Sequence, residues 1–404
     1  MSRAMLNPEI AAMVRDGVDH ARNGSMILTD QVMQLPASNY TDPERFQLEV
    51  ARIFKRLPLM LAPSCELPKP GDYKTLEVAG VPVLLVRGQD GVVRSFINSC
   101  THRGTNVATA PTGNAGRFTC PYHGWTFSQK GELVAVASAE DFGAVDKSCL
   151  GLTQLPCAER AGLVFGSVDP KGTVDIDAFL CGYDALLEHF NFKDWHFFSS
   201  RRLMGPNWKI AYDGYLDYYH LPVLHRNSLG AGVQLNNRAL YYAWGPHQKL
   251  IGQDRKIKEM AETPEAEWRD DQVLTGVWTI FPCISIASFD GGGRGVMISQ
   301  LMPGDTVGTS WTTQMYLMEK APDARTAEDA HKQFDLLEIV VRDEDYATGL
   351  RQQRALDAGA LKHVQFGRNE GGAQAFHGWV ERLVAADDKD LKSLFPTPAK
   401  AAAE

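Results

Sequence analysis

The hydrophobic and polar positions of this chain follow two periods, and the change of period marks the first predicted boundary. Residues 1–57 are irregularly helical, with an amphipathic stretch over 43–55 that Thr41 or Asp42 would cap. From residue 58 the pattern becomes the alternation of short strands separated by Gly- and Asp-containing turns. These runs predict an all-β domain over 58–172. Its predicted strands are residues 74–78, 81–86, 92–97, 117–120, 126–127, 133–137 and 163–168.

Helical and strand-like segments alternate in the rest of the chain, which we assign to a second domain over 173–395. Strands followed by a long helix predict an antiparallel sheet wrapped on helices, so the predicted fold class is α+β. We expect residues 1–57 to pack on this second domain and the low-complexity residues 396–404 to form a flexible tail. The predicted elements are helices at 176–189, 208–224 and 327–358, and strands at 197–204, 240–244, 273–280, 284–288, 295–302 and 308–317.

The charge of the chain argues against two classes of partner. It has 41 Lys and Arg against 49 Asp and Glu, a formal net charge of −8, which opposes nonspecific attraction to nucleic acid or anionic lipid. No apolar run has the length of a membrane span, and the first residues lack the pattern of a secretory signal. The seven cysteines show no spacing typical of a disulfide framework. We therefore expect a cytoplasmic protein without nucleic-acid or membrane partners.

Two short segments each contain one cysteine and one histidine beside a turn. The first is Cys100-Thr-His102, followed by Gly104, and the second is Cys120-Pro-Tyr-His123. A Rieske [2Fe-2S] cluster uses two thiolates on one iron and two imidazoles on the other. A structural zinc site also accepts two Cys and two His, but it usually pairs like residues with like. The mixed pairs therefore favour a Rieske cluster held by two loops.

A second group of possible ligands lies a hundred residues further along the chain. Asp217 and His220 are three residues apart and would share a helical face, and His225 follows. Pro222 should kink or end the helix between the two histidines and turn the second imidazole toward the same centre. Two imidazoles and one carboxylate around open positions suit ferrous iron that binds oxygen.

A third ligand must come from elsewhere in the sequence. The acidic run Asp343-Glu344-Asp345 lies within the apolar stripe of the long late helix, and Asp345 is the candidate. Taken alone, this run reads better as a solvated helix face. His220 and His225 taken alone suit core histidines as well as ligands. The Rieske motif in the same chain favours the metal-binding interpretation of both groups.

The two blocks together give the chain a family resemblance. It resembles the large (alpha) subunit of the Rieske non-haem iron oxygenases, the aromatic-ring-hydroxylating dioxygenase superfamily. The resemblance implies a Rieske domain and a catalytic domain of the helix-grip type. The residues that match the family motifs are Cys100, His102, Arg103, Gly104, Cys120, His123, Trp125, Asn207, Trp208, Lys209, Asp217, His220 and His225.

The same resemblance implies roles for individual residues. The mononuclear iron would be held by His220, His225 and Asp345, with Asp343 as the fallback for the carboxylate. Asp217 would be a catalytic residue that hydrogen-bonds between the cluster histidine of one subunit and His220 of the next. We also expect Leu221 and Leu224, with strands around 277–286, to line the substrate pocket.

The implied function is that of a terminal oxygenase component. Electrons from NAD(P)H would arrive through a separate reductase, directly or through a ferredoxin, and iron would activate O2 to hydroxylate or dihydroxylate an aromatic substrate. The implied assembly is a homotrimer, or an α3β3 complex with a small β subunit.

Three other functions are open on the residues alone. One is a Rieske monooxygenase that performs O- or N-demethylation or hydroxylates a quaternary amine, which would need an aromatic cage or a carboxylate in its pocket. The others are a pure electron carrier and a zinc-stabilised binding protein. The candidate cage residues are Tyr215, Tyr218, Tyr219 and Trp244.

Overall fold

The computed structural model describes residues 7–172, 174–231, 235–253, 255–268, 272 and 274–395, which form two compact units. The small unit consists mainly of Val50–Phe179 and also contains Asn191–Asp194 and the described residues after Asp387. The large unit contains the described residues up to Glu49, together with Leu180–Phe190 and Trp195–Ala386. Among the helices described, none has the combination of length and apolar character that crossing a membrane requires.

The small unit is built almost entirely from short antiparallel strands, as predicted. All seven predicted strands are present, with their ends within two residues of the prediction, and Leu59–Pro63, Thr112–Asn114, Gln154–Leu155 and Cys157–Arg160 are additional. The five-stranded sheet has the order Gln154–Leu155, Val93–Ile97, Val81–Arg87, Asp72–Val78, Thr112–Asn114. The two three-stranded sheets are Cys157–Arg160, Leu163–Gly166, Leu59–Pro63 and Arg117–Thr119, Thr126–Ser128, Leu133–Ala135.

The helices of the small unit are short. Alternating apolar residues of the strands, such as Leu84, Phe96 and Phe127, form its buried core instead. The helical elements are Val50–Phe54 (a π-helix), Ala139–Phe142 and the 3₁₀ turns Ser64–Glu66, Lys147–Cys149, Phe192–Asp194 and Leu391–Leu394.

The large unit has one seven-stranded antiparallel sheet with helices against it, which confirms the α+β fold class. The strand His247–Gly252 was not predicted, and the predicted strand 273–280 begins only at Val277. A separate pair joins Met33–Pro36 to His363–Phe366. The order of the large sheet is His196–Gly205, Ser310–Met318, Gly295–Pro303, Ile284–Phe289, Val277–Ile280, His247–Gly252, Ala239–Trp244.

The helices of the large unit include three that bear on the site. These are Trp208–Asp213, Leu221–Leu224 and a long late helix made of Ala324–Ile339, the π-helix Val340–Tyr346 and Ala347–Asp357. The remaining helical elements are Pro8–Asn23, Ser38–Thr41, Pro43–Glu49, Tyr183–Leu187, Arg255–Ala261, Gly371–Ala385 and the 3₁₀ turns Glu188–Phe190 and Glu265–Glu267, while Ile176–Leu180 spans the change from one unit to the other.

The predicted single helix over 208–224 is wrong. The first helix stops at Asp213, before Gly214, and a second short helix, Leu221–Leu224, starts only after His220. Pro222 lies in the first turn of that second helix, where a missing N–H costs no hydrogen bond. The break therefore precedes both histidines and does not separate them.

The late helix begins three residues earlier than predicted and changes its winding in the middle. Val340–Tyr346 is a π-helix, whose wider turn alters the directions in which successive side chains point. Such segments inside α-helices are frequent at functional sites. Asp345 lies within this segment.

Residues near the N-terminus make buried polar contacts within the large unit. Trp208 Nε1 donates a hydrogen bond of 2.9 Å to Glu49, and Lys209 forms an ion pair with the same carboxylate. Tyr40 donates its hydroxyl proton to Asp213 at 2.8 Å. The predicted domain limits stay predictions, and the predicted tail, 396–404, lies outside the described residues.

Candidate metal centres and pocket

The two Cys/His segments of the small unit have the same backbone geometry. The N–H of Cys100 donates to the carbonyl of Thr105, and the N–H of Gly104 donates back to the carbonyl of Cys100, both at 2.8 Å. The second loop repeats both bonds, from Cys120 to the carbonyl of Trp125 at 2.8 Å and from Gly124 to the carbonyl of Cys120 at 3.1 Å. Both glycines have positive φ, +84° and +70°, a conformation that an L side chain would strain. Two matched turns therefore present one cysteine and one histidine each.

These turns bring the four candidate cluster ligands together. Cys100 and Cys120 are each 2% exposed, and the rings of His102 and His123 are 4.6 Å apart between centroids. Burial raises the pKa of Cys100, and the nearby Cys120 thiol raises it further. Burial also lowers the pKa of His102, and the neighbouring His123 adds to this effect. Cluster ligands bind as thiolates and neutral imidazoles, so the lowered pKa of His102 favours binding, whereas the raised pKa of Cys100 means that binding must displace the thiol proton.

One observation tests directly whether these residues fit a cluster. Nδ1 of His102 and Nδ1 of His123 are both buried and have no hydrogen-bond partner among the described residues. A buried ring nitrogen without a partner is costly unless it binds something. The ring of His102 is held in place by stacking on Trp125, with centroids 4.9 Å apart and planes 9° apart. The donor set therefore fits a cluster bound through two sulfurs and two Nδ1 atoms.

In the large unit, the three candidate iron ligands also converge. Ligand atoms of His220, His225 and Asp345 all lie within 4.8 Å of one another. Nε2 of His225 is 3.2 Å from Oδ1 of Asp345, and Nε2 of His220 is 3.8 Å from the same oxygen. The two rings are T-shaped, with centroids 5.1 Å apart. The residues thus offer two ring nitrogens and one carboxylate to a single ion.

Each histidine is oriented by a carboxylate on its other nitrogen. Nδ1 of His220 donates to Oδ1 of Asp217 at 2.9 Å, and Nδ1 of His225 donates to Oε2 of Glu344 at 2.6 Å. These bonds leave Nε2 of each histidine as the ring atom that can bind a metal, the usual arrangement behind metal-binding histidines. Burial lowers the pKa of His225, but its bonds to Asp345 and Glu344 outweigh burial and raise the pKa overall.

Sequence reasoning did not assign Glu344 to the site, and it named Asp343 as a fallback ligand. Glu344 contacts His225 and also accepts a hydrogen bond of 2.7 Å from Ser228. Asp343 instead pairs with Arg342 on the surface, at 2.7 and 2.8 Å, and the structure does not bring it to the histidines. The acidic run was the only signal for Glu344 in the sequence, and it did not separate the roles of the three residues.

An apolar cavity of about 540 Å³ adjoins this centre. Leu221 lines it, whereas Leu224 lines a smaller cavity of about 230 Å³ that shares Asp217, His220 and Asp345 with the larger one. That these leucines contact substrate stays a prediction. The exposed cations Arg255 and Lys258 line the larger cavity where it meets solvent. Its apolar walls are Ala211, Tyr215, Tyr218, Leu221, Leu229, Val277, Ala287, Phe289, Met297, Leu337, Val340 and Val341.

Two family profiles match the chain in the places where these sites lie. Residues 58–150 match the Rieske [2Fe-2S] domain, and residues 192–386 match the ring hydroxylating alpha subunit (catalytic domain). The chain belongs to the Rieske non-haem iron oxygenases. Its two profiles coincide with the two groups of candidate ligands, because Cys100 to His123 lie in the first and His220 to Asp345 lie in the second.

The chain resembles curated proteins with different substrates in their names. It is 32% identical over 224 residues to the chlorobenzene dioxygenase subunit alpha of Cupriavidus sp. strain PS12. The matched region covers 53% of this chain and 49% of that protein. It is 28% identical over 235 residues to the glycine betaine monooxygenase oxygenase subunit of Chromohalobacter salexigens, and this match covers 57% of this chain and 52% of that protein. The match therefore spans about half the length of these curated relatives.

The fold of the chain is also found in solved structures. The quaternary ammonium Rieske monooxygenase CntA superposes on it with a TM-score of 0.73, covering 91% of this chain and 98% of that one at 23% identity. At this level of identity, the similarity establishes the shared fold.

Proposed function

We propose that the chain is the terminal oxygenase component of a multicomponent Rieske oxygenase. Electrons from NAD(P)H would pass through a separate reductase, directly or through a ferredoxin, to a [2Fe-2S] cluster on Cys100, His102, Cys120 and His123. They would then reach a mononuclear ferrous iron on three ligands of the large unit. The observation that carries the proposal is the convergence of His220, His225 and Asp345, with each histidine oriented by a further carboxylate.

The iron, when bound, supplies oxygen activation, and the protein supplies orientation and a dry pocket. Asp217 and Glu344 keep the Nδ1 atoms of the two histidines protonated, so that Nε2 of each is available as a ligand. The apolar cavity beside Asp345 excludes water and holds the substrate near the metal. These roles require no other catalytic side chain at the iron.

We propose an aromatic compound as the substrate, to be hydroxylated or dihydroxylated. The walls of the 540 Å³ cavity are aliphatic and aromatic, which suits a planar apolar ring. Apart from Asp217 and Asp345 at the metal, the described lining contains no carboxylate, and its exposed end has Arg255 and Lys258. This charge pattern suits a neutral or anionic ring better than a cation.

The alternative is a monooxygenase that hydroxylates a quaternary amine or removes an O- or N-methyl group. It is supported by the names of two similar proteins, one acting on glycine betaine and one on quaternary ammonium compounds. Of the candidate cage residues, Tyr215 and Tyr218 line the cavity, but Tyr219 is 57% exposed. Trp244 does not line the cavity but packs on Tyr183 and donates its N–H to Glu9. An aromatic cage is therefore half complete, and the aromatic substrate is the better fit.

The two remaining functions explain less of the structure. A pure electron carrier would have no use for His220, His225 and Asp345 beside an apolar cavity. Zinc on the cysteines would give a colourless protein, whereas a Rieske cluster absorbs visible light and has a characteristic EPR signal when reduced. Visible absorption of the purified protein, together with assays for iron and acid-labile sulfide, separates these possibilities.

We also propose an assembly in which subunits share the electron path. A trimer, alone or as α3β3 with a small subunit, would let the cluster of one subunit donate to Asp217 of another. The solved quaternary ammonium monooxygenase is described with inter-subunit electron transfer. Sedimentation analysis gives the subunit number, and mixed assemblies of an Asp217→Ala subunit with a His102→Ala subunit recover activity only if electrons cross between subunits. The cytoplasmic location stays a prediction.

The experiment that tests the activity supplies the purified holoprotein with a broad-range reductase, ferredoxin, NADH and O2. Aromatic acids, phenols, polycyclic aromatics and methylated amines are screened for product formation coupled to NADH oxidation. A cis-diol or phenol supports the proposed function, and loss of a methyl group or an oxidised amine supports the alternative. The His220→Ala variant serves as the control for products that do not depend on the iron.

A further inference from the structure

A row of polar side chains crosses the seven-stranded sheet inside the protein. The strand register places Gln248 opposite Thr279, Thr279 opposite Ser285, Ser285 opposite Ser299, and Ser299 opposite Gln314. Residues directly opposite one another in antiparallel strands share a face of the sheet. All five are buried, at 2% exposure or less. Five neighbouring strands therefore present these side chains as one continuous line, which we call the polar row.

The polar row runs beside the floor of the large cavity. Val277, Ala287 and Met297 line that cavity and lie two residues along their strands from members of the polar row. Residues two apart in a strand face the same way, so the polar row and the cavity floor lie on one face of the sheet. Tyr215 lines the same cavity, although its hydroxyl is buried.

Polar atoms at both ends of the polar row are buried without a hydrogen-bond partner among the described residues, namely Gln248 Oε1 at one end and both amide atoms of Gln314 at the other. Near the Gln314 end, the hydroxyls of Ser299 and Tyr215 are also buried and make no hydrogen bond of regular geometry. Burial raises the pKa of Tyr215 to about 12, and weaker hydrogen-bond interactions with the hydroxyls of Ser299 and Tyr346 oppose this rise. Buried polar groups in folded proteins are hydrogen-bonded, and where protein partners are missing, ordered water takes their place.

We propose that Tyr215, Ser299 and Gln314 hold a chain of ordered water beside the iron pocket, and that this water delivers protons to the pocket during oxygenation. The inference rests on the proposed function. Dihydroxylation of an aromatic ring combines the ring, O2, NAD(P)H and one proton to give the diol and NAD(P)⁺, so each turnover must draw a proton from solvent. A water chain accepts that proton at its outer end and releases one at its inner end, and it needs no redox partner.

The outer end of this chain leads toward the sheet edge. Gln314 is opposite Arg201 on the edge strand, and Arg201 is 18% exposed. The Arg201 guanidinium pairs with Asp335, at 3.0 Å, and with Glu338, both on the late helix. These side chains border solvent and can exchange protons with it through bound water.

A crystal structure of the metal-loaded protein, at a resolution that orders water, tests the site itself. We expect water within hydrogen-bond distance of the Tyr215 hydroxyl, Ser299 Oγ and the Gln314 amide. A structure in which these groups bond directly to one another, without water, would overturn the proposal. This test does not require turnover, so its outcome is independent of whether the proposed activity is correct.

Substitutions test the proton delivery. In Gln314→Met and Ser299→Ala, product formed per NADH oxidised should fall at least about threefold, with more hydrogen peroxide released and a larger solvent isotope effect on product formation. Iron content and the cluster EPR signal should not change. The matched control is Thr279→Val, because the Thr279 hydroxyl already donates to the carbonyl of Gln248, at 3.3 Å.

Wild-type coupling in both variants would contradict the water chain as a proton route. If Gln314→Met does not fold, Ser299→Ala, which removes a single oxygen, decides the question. Absence of product with every substrate in the wild-type protein would instead contradict the proposed oxygenase activity.

Discussion

Glu344 and His225 are joined by a hydrogen bond of 2.6 Å between a carboxylate oxygen and Nδ1 of the ring. Asp345, the next residue, lies 3.2 Å from Nε2 of the same ring. The carboxylates of two consecutive residues thus contact the two ring nitrogens of one histidine. The π-helix Val340–Tyr346 makes this arrangement possible, because its wide turn departs from the regular helical directions of neighbouring side chains.

This relationship predicts a specific effect of Glu344→Gln. The amide can still contact Nδ1, but it does not stabilise the donor tautomer of His225 as a carboxylate does. We expect iron affinity to fall about 10- to 100-fold, the usual cost of losing such a carboxylate behind a metal-binding histidine. Competition with an iron chelator measures the change, and Asp343→Asn is the matched control because Asp343 pairs only with Arg342 in the described structure. Equal losses in both variants would mean that charge on the helix, not the contact with His225, matters.

Asp217 should matter more for electron delivery than for metal binding. In Asp217→Asn we expect the cluster to be reduced normally and iron to be bound nearly fully, while reoxidation of the cluster in a single turnover slows by at least about a hundredfold. The physical reason is that the carboxylate bonded to His220 is the group proposed to link the two centres. Stopped-flow absorbance of the cluster measures this rate. Asp329→Asn, an exposed acid on the late helix, is the control, and an unchanged rate in Asp217→Asn would remove Asp217 from the electron path.

Glu49 and Lys209 form a buried ion pair in which both side chains are fully inaccessible to solvent. Burial lowers the pKa of Lys209, and the nearby Glu49 carboxylate opposes this change. Glu49→Gln leaves the ammonium without its counter-charge, so we expect unfolding to become easier by about 3 kcal/mol. The double variant Glu49→Gln/Lys209→Met should recover much of the loss, as measured by chemical denaturation. No recovery would show that the ion pair of Arg45 with Glu49, at 2.9 Å, is the dominant contribution.

In the small unit, the pair formed by Arg87 and Glu159 predicts a pH dependence of stability. Burial raises the pKa of Glu159, but hydrogen bonds from Arg87, at 2.8 and 3.1 Å, outweigh it and lower the pKa below the ordinary value of 4.5. A depressed carboxylate pKa stabilises the fold above the unfolded-state pKa, and this contribution is lost as pH falls through the folded-state pKa.

We therefore expect Glu159→Gln to lower the free energy of unfolding at neutral pH by roughly 1 kcal/mol, and the thermal midpoint with it. The difference from wild type should shrink below about pH 4, where the carboxylate of the wild-type protein becomes protonated. Calorimetry over this pH range measures both midpoints. The exposed pair of Arg160 with Asp177 provides the comparison, since Asp177→Asn should have a smaller effect in solvent. A Glu159→Gln deficit that is constant with pH would indicate lost packing instead of lost charge.

Local patterns were sufficient for much of the fold. Seven strands of the small unit were predicted to within two residues because their alternation of apolar and polar positions is a property of neighbouring residues, whereas four further strands were missed. The helix over 208–224 was predicted wrongly for the opposite reason. Its residues have helical spacing, but Tyr212 and Tyr215 pack against the sheet, and the chain turns after Asp213 to bring His220 toward the late helix.

Residue types and their spacing indicate the chemistry available to this protein. Cysteine and histidine in matched turns, and two histidines after an acid, are local features whose donor atoms can be read from residue types and spacing. They led to the family resemblance, and the resemblance in turn implied the iron ligands His220, His225 and Asp345.

How those donor atoms are used depends on contacts that form when the chain folds. Glu344 pairs with His225, and the polar row runs from Gln248 to Gln314, so both features bring together residues that are distant in the chain. Asp343 lies at the surface although it belongs to the same acidic run as Glu344 and Asp345. Such contacts depend on strand register and on the winding of a helix, which arise from packing over the whole large unit. No short stretch of sequence contains that information.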